Sequence, residues 1–82
     1  MSLLWIIKAD YVNDFKINLH FNTNEKGIVD LENNLDKKIF EPLKNKSFFK
    51  KFHLNNWTIE WENGADFSPE FLHDIIFKNE TV

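Results

Sequence analysis

Thr58-Ile59-Glu60-Trp61-Glu62-Asn63-Gly64-Ala65-Asp66-Phe67-Ser68-Pro69-Glu70 reads as a strand, a tight turn and a helix start with almost no slack between them. Apolar and polar residues alternate from Trp57 to Glu62, the period of a strand with one buried face. Trp57, Ile59 and Trp61 take the inward face, and Thr58, Glu60 and Glu62 the wet one. Asn63-Gly64 is the dipeptide that most readily supplies the positive φ angles of a tight turn. Ser68 fits a helix N-cap, Pro69 suits the first helical position, and Glu70 sets a negative charge near the positive end of the helix dipole. Phe67 and Leu72 fall at the two positions of a hydrophobic staple. Each of these signals specifies a fold, and none specifies a reaction.

Outward from that stretch, Leu4–Val12 is expected to form a first strand, followed by a turn at Asn13-Asp14. Phe15, Ile17, Leu19 and Phe21 alternate with Lys16, Asn18, His20 and Asn22, which makes a second strand with one dry face. A turn over Asn22-Thr23-Asn24-Glu25 and a third short strand over Gly27–Leu31 complete an antiparallel meander. Glu32–Lys38 is polar and reads as a loop with a helical turn. Ile39–Leu43 begins a short helical segment that tolerates Pro42 in its first turn. Asn45–Phe52 suggests another, with Ser47 as its cap and Phe48, Phe49 and Phe52 on one face. His53–Asn56 is a turn or very short strand, and Trp57–Glu62 is the fourth strand. The last helix runs from Pro69 to about Phe77 and buries Phe71, Leu72, Ile75 and Ile76, after which Lys78–Val82 should fray.

The fold class is therefore α+β. An antiparallel sheet combines the N-terminal meander with the later strand carrying Trp57 and Trp61, and the C-terminal helix and short central helices cover it. Phe15, Ile17, Leu19, Phe21, Leu43, Phe52, Ile59, Trp61, Leu72 and Ile75 are expected in the core. The 82 residues form one domain (1–82), since splitting them would leave two cores too small to stand alone. Nine Phe and three Trp supply a real core. A chain of this size has a stability of roughly 4–12 kcal/mol, so losing one aromatic anchor, at roughly 3–5 kcal/mol, can unfold it.

The formal charge is −3 and all ten basic residues are Lys. Without Arg the chain lacks the fork that reads guanine and clamps phosphate, and its acidity is unlike that of a duplex-DNA reader. Abundant Lys, Asn, Ile and Phe is also what an AT-rich coding sequence produces. The absence of Cys excludes disulfides and thiolate zinc sites. The apolar run Leu3–Ile7 is too short for a signal-peptide core or a membrane span, so the expectation is a soluble cytoplasmic protein with no membrane contact.

Several segments together resemble a small bacterial family, the domain of unknown function numbered 2442. Phe15-x-Ile17-x-Leu19-x-Phe21 is similar to its second strand, and Val29-Asp30-Leu31 to the Asp-Leu that ends its third. Phe40-Glu41-Pro42-Leu43, followed by Phe48, Phe49 and Phe52, resembles its central segment. Thr58-Ile59-x-Trp61-x-Asn63-Gly64-Ala65-Asp66-Phe67-Ser68-Pro69-Glu70-x-Leu72 resembles its signature closely. The likeness covers about residues 4–74. Two departures stand out: Thr23-Asn24 replaces the usual Asp-Gly turn, where Asn still tolerates left-handed geometry, and Glu62 replaces the usual Pro before Asn63. The resemblance implies a small α+β bacterial domain, often a stand-alone protein and sometimes joined to a helix-turn-helix. It also implies encoding beside another small protein, which hints at toxin–antitoxin-like pairing. It implies no established activity and no catalytic residues.

The signature residues Trp61, Asn63, Gly64, Asp66, Ser68 and Pro69 form the candidate motif, structural or functional. Asp66, just before a helix N-terminus, is placed to accept backbone N–H bonds and hold the turn; as a metal ligand or general base it has no partner of suitable type at a useful spacing. Glu60 and Glu62 share a strand face and read as a solvated pair rather than acid–base machinery. His20, His53 and His73 show no helical metal spacing. Ser47 and Ser68 read as helix caps rather than nucleophiles, and the two glycines, Gly27 and Gly64, make no phosphate-cradling loop. Lys44, Lys46, Lys50 and Lys51 interleave with Phe48, Phe49 and Phe52, a pattern that can bind single-stranded nucleic acid if the rings are free to stack on bases.

By subtraction, the function expected is a non-enzymatic interaction module without a cofactor or metal. It would dock a protein partner or a second copy through a sheet edge or a partly exposed Trp5, Tyr11 or Phe77. The alternative is a nucleic-acid-linked regulatory domain using Lys44–Lys51. A third possibility is a metal-dependent hydrolase built on Asp66, Glu62 and His73.

Overall fold

The structure, a computed structural model, describes residues 3–78. Strands β1 (Ile6–Asn13), β2 (Lys16–Phe21) and β3 (Lys26–Asp30) form the expected antiparallel meander in that order. The period of two in β2 holds: Ile17, Leu19 and Phe21 are fully buried, while Lys16, Asn18 and His20 are half-exposed. The first turn carries Asp14 at φ 46°, and the second carries Asn24 at φ 75°, so Asn24 does serve the left-handed position. A register irregularity between Ile6 and Lys8 buries Ile6 and leaves Ile7 outside.

Beyond β3, a 3-10 turn at Glu32–Asn34 lowers Leu31 and Leu35 into the core on either side of it. A second 3-10 helix, Lys38–Lys44, contains Pro42 and buries Leu43. Helix α1 (Lys46–Phe49) is capped by Asn45, not by Ser47. Asn45 has the extended backbone of an N-cap, and its Oδ1 accepts the Ser47 N–H at 2.9 Å, which places Ser47 inside the first turn.

The strand expected over Trp57–Glu62 shrinks to β5 (Ile59–Glu60), which pairs with β4 (His53–Leu54) in a second, two-stranded sheet. The Trp-bearing segment joins the meander through one bond, Ile6 N–H to the Trp57 carbonyl at 2.9 Å. Asn55 explains the shortening. Its Oδ1 accepts the N–H groups of Trp57 and Thr58 at 2.7 and 2.8 Å, and its own N–H reaches the Thr58 carbonyl. This local side-chain turn competes successfully with strand geometry. It reverses two expected orientations: Trp57 points outward at 49% exposure, and Thr58 is buried with its hydroxyl donated to the Phe67 carbonyl at 2.6 Å.

Helix α2 (Pro69–Phe77) starts as expected: Ser68 Oγ accepts the Phe71 N–H at 3.1 Å and Pro69 occupies the first turn. Phe67 and Leu72, the staple pair, are both buried. Ile75 and Ile76 are half-buried, and Phe71, expected inside, is 41% exposed. It lies over the rim of the core, stacked on Phe67 with ring centroids 5.6 Å apart. Of the expected core, Phe15, Phe52 and Ile75 are only half-buried, while Ile6, Val29, Leu31, Leu35, Phe49, Ala65 and Phe67 complete it. Residues 79–82, where fraying was expected, lie outside the described residues.

Candidate functional site

The signature forms a hairpin that feeds α2. Trp61 N–H bonds the Ala65 carbonyl and Gly64 N–H the Trp61 carbonyl, both at 2.9 Å, and Glu60 bridges Asp66 across the loop. Within this loop Gly64 alone has positive φ (89°), so the turn is a three-residue loop closed by a left-handed glycine, and Asn63 is not left-handed. Asn63 instead ties the loop down. Its Oδ1 accepts the Ala65 N–H at 3.2 Å, and its Nδ2 donates to the Ile39 carbonyl at 2.9 Å, linking the hairpin to the central segment.

Trp61 is the centre of the aromatic core. Its Nε1 donates to the Phe49 carbonyl at 2.7 Å, and its ring meets Phe49, Phe52 and Phe67 at centroid distances of 5.6, 6.1 and 6.0 Å. The indole thereby satisfies a carbonyl beside the C-terminal end of α1. Five signature residues, Trp61, Asn63, Gly64, Ser68 and Pro69, are therefore committed to the fold.

Asp66 is different. It is exposed, and among the described residues its carboxylate accepts no hydrogen bond, so the expected contact with backbone N–H groups is absent. It borders a shallow depression of about 440 Å³ whose aromatic wall is the stack Phe40–Phe67–Phe71, with Asp36 and Lys37 on the rim. Glu62 and His73 do not join it. His73 Nε2 lies 2.8 Å from Glu25 Oε1 and its ring packs on Phe21 and Phe77. His53 lies 3.7 Å from Glu60, and His20 borders a separate depression with Glu25 and Lys26. Among the described residues, no three His, Asp or Glu side chains stand together in a way that could hold a metal ion.

In the Lys44–Lys51 segment all four lysines are exposed, but Phe49 is fully buried and Phe48 and Phe52 are half-buried. Lys46 is engaged: its Nζ sits 3.0 Å from Asp14 Oδ1 and over the Phe15 ring. That bond and the ammonium charge hold the Asp14 carboxyl below its usual range, and Asp14 in turn raises Lys46. The Thr23 hydroxyl, followed by His73, lowers Glu25 in the same way.

Large apolar side chains gather outside the core at another place. Trp5 and Trp57 meet edge to face with centroids 6.0 Å apart, at 36% and 49% exposure. Both are held from behind. The Trp5 backbone is tied to Asn22, its N–H donating to the side-chain Oδ1 and its carbonyl accepting the Asn22 N–H, and Trp57 is fixed by Asn55 and by the bond to Ile6. Sequence reasoning marked Trp5 as a contact but placed Trp57 inside; the Asn at position 55, two residues before it, is the signal that could have turned it outward. Tyr11 is half-buried against Phe49, and Phe77 is partly exposed at the end of α2.

A family model described as a protein of unknown function (DUF2442) matches residues 6–78. No curated protein and no solved structure matches the chain.

Proposed function

We propose, from the premise that this chain belongs to the DUF2442 family, that it is a non-enzymatic interaction module that docks a protein partner on the Trp5–Trp57 surface. The observation that carries this reading is the pair itself: two indoles in mutual contact, open to water and braced by backbone bonds. Trp is the residue type most enriched at binding hot spots, because one rigid side chain buries a large area at low entropic cost. A pair fixed in advance also reduces the ordering cost of association. The signature motif supports the same reading from the other direction, since Trp61, Asn63, Gly64, Ser68 and Pro69, all but Asp66, are spent on the fold.

The test is co-purification with the product of the neighbouring gene, compared between the parent chain and a Trp5→Ala/Trp57→Ala variant whose fold is checked by near-ultraviolet circular dichroism. Retention by the parent and loss by the folded variant is the expected result. Equal retention by both would remove the Trp surface from the account. A parent chain that retains nothing would count against docking altogether.

A further inference from the structure

The two outer strands of the meander differ in what borders them. The start of β1 is covered, because the Ile6 N–H is taken by Trp57. β3 is not. Phe21 N–H bonds the Glu25 carbonyl and Leu31 N–H the Phe15 carbonyl, so the odd-numbered residues of β2 make the bonded pairs with β3. Bonded and non-bonded pairs alternate in an antiparallel ladder. Lys26, Ile28 and Asp30, opposite His20, Asn18 and Lys16, therefore turn their N–H and C=O groups away from β2. Among the described residues nothing bonds to the outward backbone groups of these three. Their side chains lie on the face opposite α2, which packs beneath Gly27, and Ile28 is 53% exposed.

The sequence Lys26-Gly27-Ile28-Val29-Asp30 is complementary to itself when reversed. A two-fold axis at Ile28 sets Lys26 opposite Asp30 of a second copy, Asp30 opposite its Lys26, and Ile28 against Ile28. The residues paired in this register are the ones whose backbone groups face outward, so about six inter-chain backbone hydrogen bonds form, two per bonded pair. A lone lysine on an edge strand ordinarily blocks such pairing; here the mirrored aspartate turns it into a matching charge. We propose that β3 pairs edge to edge with β3 of a second copy, merging the two meanders into one continuous sheet in a weak, concentration-dependent homodimer. This names a partner within the interaction reading above and rests on it, while using a different face from the Trp pair.

Sedimentation equilibrium of the full chain from micromolar to millimolar concentration tests the pairing. The parent chain is expected to dimerise, and Lys26→Asp to weaken the dimer about tenfold, because two opposite-charge pairs become like-charge pairs. Lys26→Asp combined with Asp30→Lys restores complementarity and should recover the dimer. Mixing the Lys26→Asp chain with an Asp30→Lys chain should give a heterodimer that neither forms with itself. Because Asp30 Oδ1 also accepts the Glu32 N–H, the fold of each Asp30 variant is confirmed by circular dichroism first. Since the chain has no cysteine, Ile28→Cys gives an independent readout: Cα atoms of a bonded pair lie about 5.5 Å apart, within reach of a disulfide, so oxidation should link the copies. A parent that stays monomeric at millimolar concentration, or a Lys26→Asp chain that sediments like the parent, overturns the proposal. A monomer that still holds a protein partner through Trp57 overturns the pairing and leaves the docking reading intact; a dimer whose partner capture ignores Trp5 and Trp57 does the reverse.

Discussion

At residue scale, polar side chains buried within or bridging the framework decide the conformation. Trp61→Phe keeps most of the ring but orphans the Phe49 carbonyl and leaves a void. It is expected to lower unfolding free energy by about 2–4 kcal/mol in urea titration, a large part of what a domain this size has. Asn63→Ala removes both the Ile39 and Ala65 bonds and should cost about 1–2 kcal/mol, and Asn63→Asp, which keeps the acceptor but sets a carboxylate oxygen against the Ile39 carbonyl, should cost at least as much. Ser68, Pro69 and Gly64 were legible because each role follows from a single residue and its immediate neighbours. Asp66 was not, since nothing in its spacing tells whether a backbone N–H turns toward it. Trp57 was misread for a related reason: alternation placed it inside, yet Asn55 bends the chain before the strand begins.

At element scale, α2 packs tightly on β3 at Gly27. A Cβ added at Gly27 would come within 2.6 Å of Ile76 Cγ2, a branched side chain with little freedom to yield. Gly27→Ala should therefore push the end of α2 outward and destabilise by about 1–3 kcal/mol, read as a lower denaturation midpoint and faster amide exchange in α2. Two exposed pairs pin other elements: Asp14–Lys46 ties the β1–β2 turn to α1, and Glu25–His73 ties the β2–β3 turn to α2. Asp14 and Glu25 are both depressed below their ordinary values of 3.8 and 4.5. Their contribution is present above those values and is lost as pH falls through the lower native ones. The urea midpoint should accordingly drop on acidification in that window, and Asp14→Asn with Glu25→Gln should flatten the fall. Lys46, raised by the same ionised Asp14, holds its share from above that acidic window up to its ordinary 10.5 and loses it as pH rises through its higher native value. The meander was legible because its alternation runs uninterrupted over β2. The second sheet was not, because two two-residue strands carry too few positions to show a period.

At the scale of the whole molecule, one aromatic cluster joins the meander, the central segment and α2, so unfolding should follow a single transition by every probe. No described helix is long and apolar enough to cross a membrane. The α+β architecture could be read from the order of the patterns; the exposed indole pair could not, because Trp5 and Trp57 come together from distant parts of the chain. The same arrangement divides the three indoles into two optical populations. Trp61 sits in a dry interior and should emit at short wavelength, out of reach of iodide or acrylamide, while Trp5 and Trp57 emit from a hydrated setting and are quenched. The molecule thus carries two native reporters, one for loss of the core and one for anything that settles on its outer pair, and neither requires a dye.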